Sequence, residues 1–250
     1  MSGPLVWPMV GASRDEREEA ARLRDHPCPL ERPVAVLGGW RTPHISARAL
    51  ADRLCALTSG NRTDFVALSF LRASRVEEAA GRAAREIERA FGAGEDDRTR
   101  EVDVVGVSMG GLVGRTVEAG LFGRWGERAK RVRVRRLFTL ATPHRGARLA
   151  RLAAPDGAAR SMRPGSPFLE RLDEALRASE MLVIPYARTR DGMVGATNAA
   201  PWGMDPLWLE GPRVMSHLTI TQEWRFVIDV ARRLRGEEGW VRSTGPAPRD

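Results

Sequence analysis

A serine framed by glycines is the feature of this sequence best suited to chemistry. Residues 106–110 read Gly-Val-Ser-Met-Gly, after an apolar run and before a stretch that can start a helix. A sharp turn from strand to helix needs small neighbours, and it lifts the Ser108 hydroxyl to the sheet edge. It also points the backbone N–H of Met109 at the place where an oxyanion would form. This serine turn (106–110) predicts Ser108 as a nucleophile and Met109 as an oxyanion donor; an ordinary glycine-rich turn is the alternative.

A nucleophilic serine needs a base to take its proton and a carboxylate to orient that base. Of the four histidines, His217 follows the last predicted strand, Val214-Met215, and precedes a predicted helix. Asp191 lies in a turn after the strand predicted at 181–186, and Asp205 is the alternative acid. In chain order, serine, acid and histidine fit the arrangement in which each group follows a strand of a parallel sheet. We therefore predict His217 as the base and Asp191 as the orienting acid.

The second oxyanion donor is expected in the loop after the first strand of the domain. This glycine loop, residues 38–44, contains two glycines that let the backbone approach a substrate carbonyl. We predict the backbone N–H of Gly39 or Trp40 as that donor. His44 either contacts substrate or supports the loop.

A second group of candidate substrate contacts lies in the apolar stretch 201–209. It contains Trp202 and Trp208, and two prolines and a glycine make it loop-like. The stretch can line an acyl pocket, enter a lipid surface, or simply cover the core.

Strands and helices alternate along the chain from residue 33 onward. Apolar runs predict strands at 33–37, 65–68, 102–107, 132–140, 181–186 and 214–215. Helical spacing predicts helices at 45–57, 76–91, 112–121, 168–178 and 218–234. Strict alternation predicts an α/β fold, with a mostly parallel sheet of about six strands and helices on both faces.

Composition changes along the chain suggest its domain organisation. We predict one domain at 33–235, preceded by an N-terminal arm (1–32) that carries one charged helix, either on the surface or loose. Residues 145–167 are rich in proline and glycine and form either a lid or a long surface loop. Residues 236–250 are predicted to be a disordered tail.

Charge and composition exclude several classes of protein. The net charge is +8, and Lys130 is the one lysine among 40 basic residues. Because the arginines alternate with acidic residues, we expect no nucleic-acid partner, and the basic stretch 124–136 is interpreted as solvated surface. Contact with an anionic membrane remains an alternative. The two cysteines, Cys28 and Cys55, predict neither a metal site nor a disulfide framework. No transmembrane run or signal peptide is seen, so a cytoplasmic location is expected.

Together these residues resemble the lipase and esterase branch of the α/β-hydrolase superfamily. Residues 140–147, Leu-Ala-Thr-Pro-His-Arg-Gly-Ala, are similar to the T-P-H-x-G signature that follows the serine turn in many lipases. Residues 163–169 are similar to the P-G-S-x-F-L stretch before the next helix. The resemblance covers about residues 34–234, and the glycine loop departs from it by reading L-G-G-W in place of H-G-x-x.

The resemblance implies the α/β-hydrolase fold and the cleavage of carboxylic esters of acyl or lipid-like type through an acyl-enzyme. It implies Ser108, His217 and Asp191 as the catalytic triad, a structural role for His144, and no metal or organic cofactor. A thioesterase, an amidase or an acyltransferase would use the same triad. The alternative from another class is a non-catalytic binding protein with a hydrolase fold. Chain length of the acyl group and oligomeric state are not predicted.

Overall fold

The computed structural model describes residues 9–94, 96–127, 129–213, 215–243 and 245–248. In this part of the chain, six parallel strands form one sheet in the order β2-β1-β3-β4-β5-β6. The strands are β1 (Val34–Trp40), β2 (Phe65–Phe70), β3 (Val102–Val107), β4 (Val134–Leu140), β5 (Leu182–Arg188) and β6 (Leu207–Leu209). The predicted six-stranded parallel α/β architecture is confirmed.

Helices cover both faces of the sheet. They are α1 (Arg14–Asp25), α2 (His44–Leu57), α3 (Val76–Phe91), α4 (Met109–Ala119), α5 (Arg148–Leu152), α6 (Gly157–Ser161), α7 (Pro167–Arg177) and α8 (Trp224–Leu234). One buried layer joins α3, α4 and α7 to the sheet, and the other joins α1, α2 and α8 to it. In the described part of the chain, no helix is both long and apolar enough to cross a membrane.

The central strands are apolar nearly throughout because both of their faces are covered. In β1, Ala35 and Leu37 contact the layer of α3 and α4, whereas Val34 and Val36 contact the layer of α2 and α8. A carboxylate interrupts this pattern at Asp103 in β3, which is fully buried. Its carboxylate accepts two hydrogen bonds from the Arg136 guanidinium, at 3.1 and 2.5 Å. This charge pairing makes a buried carboxylate tolerable at the amino-terminal edge of the sheet.

Strand order creates a crevice between β1 and β3. The chain leaves β1 for α2 on one face and leaves β3 for α4 on the other face. The loops that follow these two neighbouring strands therefore diverge, and the carboxyl ends of the strands open between them. The serine turn lies at this point, together with the glycine loop. The first residues of that loop, Gly38 to Trp40, belong to the end of β1, which is longer than the strand predicted at 33–37.

The sixth strand differs from its predicted position. We expected Val214-Met215 to be a strand, but β6 lies at Leu207–Leu209. Met215 is in a bend with φ +62°, a left-handed conformation that a strand does not contain, and Val214 lies outside the described residues. Two neighbouring apolar residues were therefore insufficient evidence for a strand.

The last predicted helix begins later than expected. Residues Ile220–Gln222 form a single 3₁₀ turn, and the extended residue Glu223 separates it from α8. The cover segment, a name we give to residues 145–167, contains the two short helices α5 and α6, which the sequence did not predict.

Both ends of the described chain contact the domain. Ala20 and Leu23 of α1 are buried in the same layer as α8, so this helix lies on the surface with one face packed. Within the predicted disordered tail, Val241 and Ala247 are buried. The Val241 N–H donates to the Asp229 carboxylate at 2.6 Å, so this part of the tail is packed.

Candidate active site

The serine turn holds Ser108 in a strained backbone conformation. Its φ and ψ are +52° and −121°, a combination that residues other than glycine rarely adopt. The Ser108 N–H donates to the Leu140 carbonyl at 2.8 Å, and the Thr142 hydroxyl donates to the Ser108 carbonyl at 2.9 Å. The end of β4 and the loop after it therefore fix both sides of the turn.

Glycines around Ser108 are required by close backbone approach. A Cβ on Gly106 would overlap the backbone nitrogen of Gly111, and a Cβ on Gly110 would overlap the Leu37 carbonyl. No side chain fits at either position, so α4 can start directly against β1 and β3. The sequence signal that predicted the turn thus has a steric cause.

The structure brings Ser108, His217 and Asp191 into one line of hydrogen bonds. His217 Nε2 is 3.0 Å from Ser108 Oγ, and His217 Nδ1 is 2.8 Å from Asp191 Oδ2. The other carboxylate oxygen of Asp191 accepts from the backbone N–H groups of Met193 and Val194, both at 3.0 Å. Because the carboxylate accepts a hydrogen bond from Nδ1, the neutral ring carries its proton there, and the lone pair of Nε2 faces the serine hydroxyl. Such an imidazole can accept the hydroxyl proton as the oxygen attacks.

Asp205, the alternative acid, lies elsewhere. Its side chain is exposed, and its charge partly offsets the lowering of the Arg145 pKa that burial causes. The guanidinium of Arg145 donates to the carbonyls of Pro201 and Met204 in the loop around Asp205. Asp191 is therefore the aspartate that contacts His217.

The backbone groups predicted as oxyanion donors border Ser108. A Cβ placed on Gly39 would lie 3.4 Å from the Ser108 Cβ, so the glycine loop passes directly beside the serine. Met109 is the first residue of α4, where backbone N–H groups have no acceptor within the helix. Gly39 and Trp40 both line the cavity next to Ser108. The backbone at both predicted donor positions therefore lies next to Ser108, and the role of these N–H groups stays a prediction.

A cavity of about 320 Å³ opens beside Ser108 and His217. The glycine loop forms one side, and the face of α2 that carries Ile45, Ala49 and Arg53 forms another. The cover segment supplies a mostly apolar wall, consisting of Ala147, Leu149, Ala150, Ala153, Ala159 and Met162. The sequence did not predict that these residues line the cavity, because nothing local showed where the segment folds back.

Three predicted substrate contacts lie outside the cavity lining that the structure describes. His44 Nε2 bonds to the Ala67 carbonyl at 3.1 Å, which corresponds to the loop-supporting alternative. Trp202 is 70% exposed and faces the Arg145 guanidinium, and the Trp208 indole donates to the Gly245 carbonyl at 3.3 Å. The three side chains therefore do not line this cavity, and their contact with substrate or with a lipid surface stays a prediction. Their residue types gave no information on side-chain direction.

The T-P-H motif, Thr142-Pro143-His144, fixes the loop that contacts the serine turn. His144 is fully buried, and its Nδ1 lies 3.2 Å from Arg115 Nη1, so the ring nitrogen accepts from the guanidinium. Its Nε2–H therefore donates to Thr139 Oγ1 at 3.0 Å. Burial, and then the charges of Arg115 and Arg145, hold the pKa of His144 well below its usual range. This neutral ring anchors the loop from which Thr142 reaches Ser108.

Neither cysteine is among the residues that line the cavity beside Ser108. Cys28 and Cys55 are free thiols, and burial raises the pKa of Cys55. Among the described residues, no group of three or more His, Cys, Asp or Glu side chains is arranged to hold a metal ion.

Comparisons with known proteins identify the fold. Neither a protein-family model nor a curated protein matches this sequence. The propeptide form of lipase BlEst2 from Bacillus licheniformis is 17% identical, with a TM-score of 0.58, over 89% of this chain and 54% of that one. Phospholipase PlaB from Legionella pneumophila is 13% identical, with a TM-score of 0.60, over 83% of this chain and 60% of that one.

The lin2722 gene product from Listeria innocua is 12% identical, with a TM-score of 0.50, over 80% of this chain and 92% of that one. This chain thus spans less than two thirds of the propeptide lipase and of the phospholipase. Structural similarity at such low sequence identity is evidence for a shared fold alone. The chain has the α/β-hydrolase fold, which it shares with this lipase and this phospholipase.

Proposed function

We propose that this protein is a serine hydrolase that cleaves carboxylic esters, with acyl or lipid-like esters as substrates. The observation that carries the proposal is the hydrogen-bonded line from Ser108 Oγ through His217 to Asp191, beside an open cavity. The lipase and the phospholipase with the same fold support an ester as the substrate.

In the first step, Ser108 Oγ attacks the ester carbonyl carbon while His217 Nε2 accepts the hydroxyl proton. The carbonyl oxygen becomes an oxyanion, which the N–H groups of Met109 and of Gly39 or Trp40 bind. The imidazolium, stabilised by the Asp191 carboxylate, then donates its proton to the departing alkoxide. The products of this step are an alcohol and an ester on Ser108.

In the second step, water attacks the acyl group on Ser108. His217 accepts a proton from the water, and the same N–H groups bind the second oxyanion. His217 then returns the proton to Ser108 Oγ, which releases the carboxylic acid. The apolar wall of the cover segment is suited to hold the acyl chain throughout.

Exposed apolar side chains around the cavity favour a lipid-like substrate. Ile45, Leu218 and Leu149 line the cavity and are 73%, 59% and 40% exposed. Apolar groups gathered at the entrance of a pocket are typical of contact with a lipid or another apolar surface. With a net charge of +8, peripheral contact with an anionic membrane is part of this proposal.

The proposal is tested with a fluorophosphonate probe and p-nitrophenyl esters of increasing chain length. Wild-type protein is expected to take up one label and to turn over the esters. Ser108→Ala should lose the label and lower kcat by about 10⁶-fold, because the nucleophile is gone. Ser46→Ala is the matched control: Ser46 also lines the cavity, and the label should remain.

Each outcome separates the candidates. A folded wild-type protein that neither labels nor turns over would contradict the proposal and favour the binding-protein alternative. Faster turnover of matched thioesters or amides, or transfer to an added alcohol, would move the assignment to the other classes that share the triad. Sedimentation with anionic vesicles, compared with neutral ones, tests the membrane contact.

A further inference from the structure

Asp156 joins the two parts of the molecule that enclose the cavity. Its Oδ2 accepts from the Trp40 indole N–H and from Arg41 Nη2, both at 3.1 Å. Its Oδ1 accepts from the Ala159 N–H at 2.8 Å, which makes Asp156 the N-cap of α6. The side chain is only 14% exposed. One carboxylate thus bonds the glycine loop through one oxygen and the cover segment through the other.

On the side of the glycine loop, these bonds fix the orientation of Trp40. The Arg41 guanidinium lies 4.8 Å from the centre of the indole ring, and Arg41 has a strained φ of +53°. Trp40 is the last residue of β1 and directly follows Gly39, which passes beside Ser108. The indole therefore holds the backbone that carries the second oxyanion donor.

On the side of the cover segment, α6 is attached at a second point. The Ala158 N–H donates to the Ser74 carbonyl, in the loop after β2, at 2.6 Å. Ala159, whose N–H is bonded by Asp156, lines the cavity together with Met162. The wall suited to the acyl chain is thus fixed by the same carboxylate that fixes the glycine loop.

We propose that Asp156 is a positioning residue, which aims the second oxyanion donor by bonding the Trp40 indole to the cover segment. The proposal rests on the proposed ester hydrolysis. Oxyanion donors lower the barrier only when they lie at hydrogen-bond distance from the developing charge, so a small displacement of the loop is costly. The same contact couples the donor to the wall beside the acyl chain.

Two substitutions break the contact in different ways. Asp156→Asn replaces one carboxylate oxygen by an amide NH₂, which cannot accept a hydrogen bond. The remaining oxygen can accept either from the Ala159 N–H, which keeps the cap of α6, or from the Trp40 indole, but not from both. Trp40→Phe removes the indole N–H and keeps an aromatic ring and the cap. For a short p-nitrophenyl ester, each should lower kcat by about 10- to 100-fold and leave KM nearly unchanged, since a donor is misaimed. The double variant should be no worse than the poorer single one, because both remove one contact.

Ser166→Ala is the matched control. It removes the side chain that caps α7, whose Oγ accepts from the Leu169 N–H, at the end of the same cover segment. It should lower the melting temperature as loss of a cap does, while kcat stays at the wild-type value. Equal kcat losses in Ser166→Ala and Asp156→Asn would overturn the proposal, because any loosening of the segment would then suffice. Wild-type kcat in Asp156→Asn and Trp40→Phe would overturn it as well.

A readout independent of activity is the hydrogen exchange of the indole N–H groups, measured by NMR on protein with ¹⁵N-labelled tryptophan. Trp40→Phe assigns the Trp40 signal, and the 70% exposed Trp202 provides the reference for a free indole. The Trp40 N–H should exchange more slowly than that of Trp202, and Asp156→Asn should remove the difference. Equal exchange in the wild type would overturn the contact itself. If wild-type protein neither labels nor turns over esters, the proposed function and the kinetic role fail, while the exchange data still decide whether Asp156 holds Trp40.

Discussion

Two histidines flank the serine turn with the same geometry and opposite chemistry. In both, Nε2 faces a side-chain hydroxyl at 3.0 Å: Ser108 for His217 and Thr139 for His144. The groups on Nδ1 differ, since His217 faces the carboxylate of Asp191 and His144 faces the guanidinium of Arg115. A carboxylate requires a proton on Nδ1, whereas a guanidinium requires a lone pair there.

This difference at Nδ1 determines whether Nε2 accepts a hydrogen bond from the hydroxyl or donates one to it. The ring of His217 accepts from Ser108, so it can take the proton, and the carboxylate stabilises the imidazolium that results. The ring of His144 donates to Thr139, and a nearby guanidinium opposes any positive charge on it. The partner of Nδ1 therefore decides whether the ring can accept a proton from the hydroxyl, as proposed for Ser108, or donates to it, as His144 does to Thr139. Access agrees with this division, because His217 lines the cavity and His144 is fully buried.

Among the changes that test the comparison of the two histidines, the largest effect is expected when the carboxylate on His217 is neutralised. Asp191→Asn should lower kcat for p-nitrophenyl esters by about 10⁴-fold, because the ring loses its tautomer preference and the imidazolium its counter-charge. Asp205→Asn is the matched control and should retain wild-type kcat. Loss of activity in Asp205→Asn, with activity retained in Asp191→Asn, would exchange the two assignments.

An intermediate effect is expected when the guanidinium on His144 is removed. Arg115 is buried and also donates to Asp173 Oδ1 at 2.8 Å, so Arg115→Met leaves a carboxylate and a ring nitrogen without their donor. The free energy of unfolding in urea should fall by about 3 kcal/mol. Arg171→Met is the control, because Arg171 is 58% exposed and its ion pair with Glu77 is long, at 3.8 Å, so it should cost less than about 1 kcal/mol. Equal stabilities of the two variants would contradict this reading of the buried cluster.

The smallest effect is a pH dependence of stability. Because the pKa of His144 in the folded protein is held well below its usual range, the unfolded chain binds a proton near pH 6.5 that the folded protein does not. The contribution of His144 to the free energy of unfolding should thus be complete above about pH 6.5. Below that pH the free energy of unfolding should fall, by at most about 1.4 kcal/mol per pH unit from this group.

His144→Gln keeps an acceptor for Arg115 and a donor for Thr139 but has no group that titrates. Urea unfolding at pH 7.5, 6.5 and 5.5 should therefore give a shallower decline than in the wild type. His26→Gln, which changes an exposed histidine, should keep the wild-type decline. An unchanged decline in His144→Gln would mean that the buried ring does not resist protonation.

Much of the sheet could be predicted because its signals are local. Strands β1 to β5 overlap the predicted apolar runs, and α3 and β3 begin and end at the predicted residues. The site residues were found because parallel strands bring their carboxyl ends to one edge, so residues that follow successive strands meet. The hydrogen bonds between Ser108, His217 and Asp191 are present, while their roles in catalysis stay a prediction.

Other features could not be predicted because their causes are distant in sequence. Strand β6 has three residues, too few for a periodic pattern, and it forms because it pairs with β5. The bond between Trp40 and Asp156 joins residues 116 positions apart, and no local signal marks either one. His44 and Trp208 have plausible types for a binding site, but their neighbours direct their side chains to carbonyl groups.

The place of β1 between β2 and β3 also bears on how the chain folds. The ladder between β1 and β3 pairs Val34 with Asp103, so a loop of roughly 70 residues must close before the centre of the sheet exists. Such non-local pairing is slow compared with the formation of helices. A partly folded chain therefore has Ser108 without the neighbouring glycine loop and without His217. The proposed reactivity toward esters would therefore arise in a late folding step, and recovery of labelling at Ser108 would report the completed sheet more faithfully than recovery of helix content.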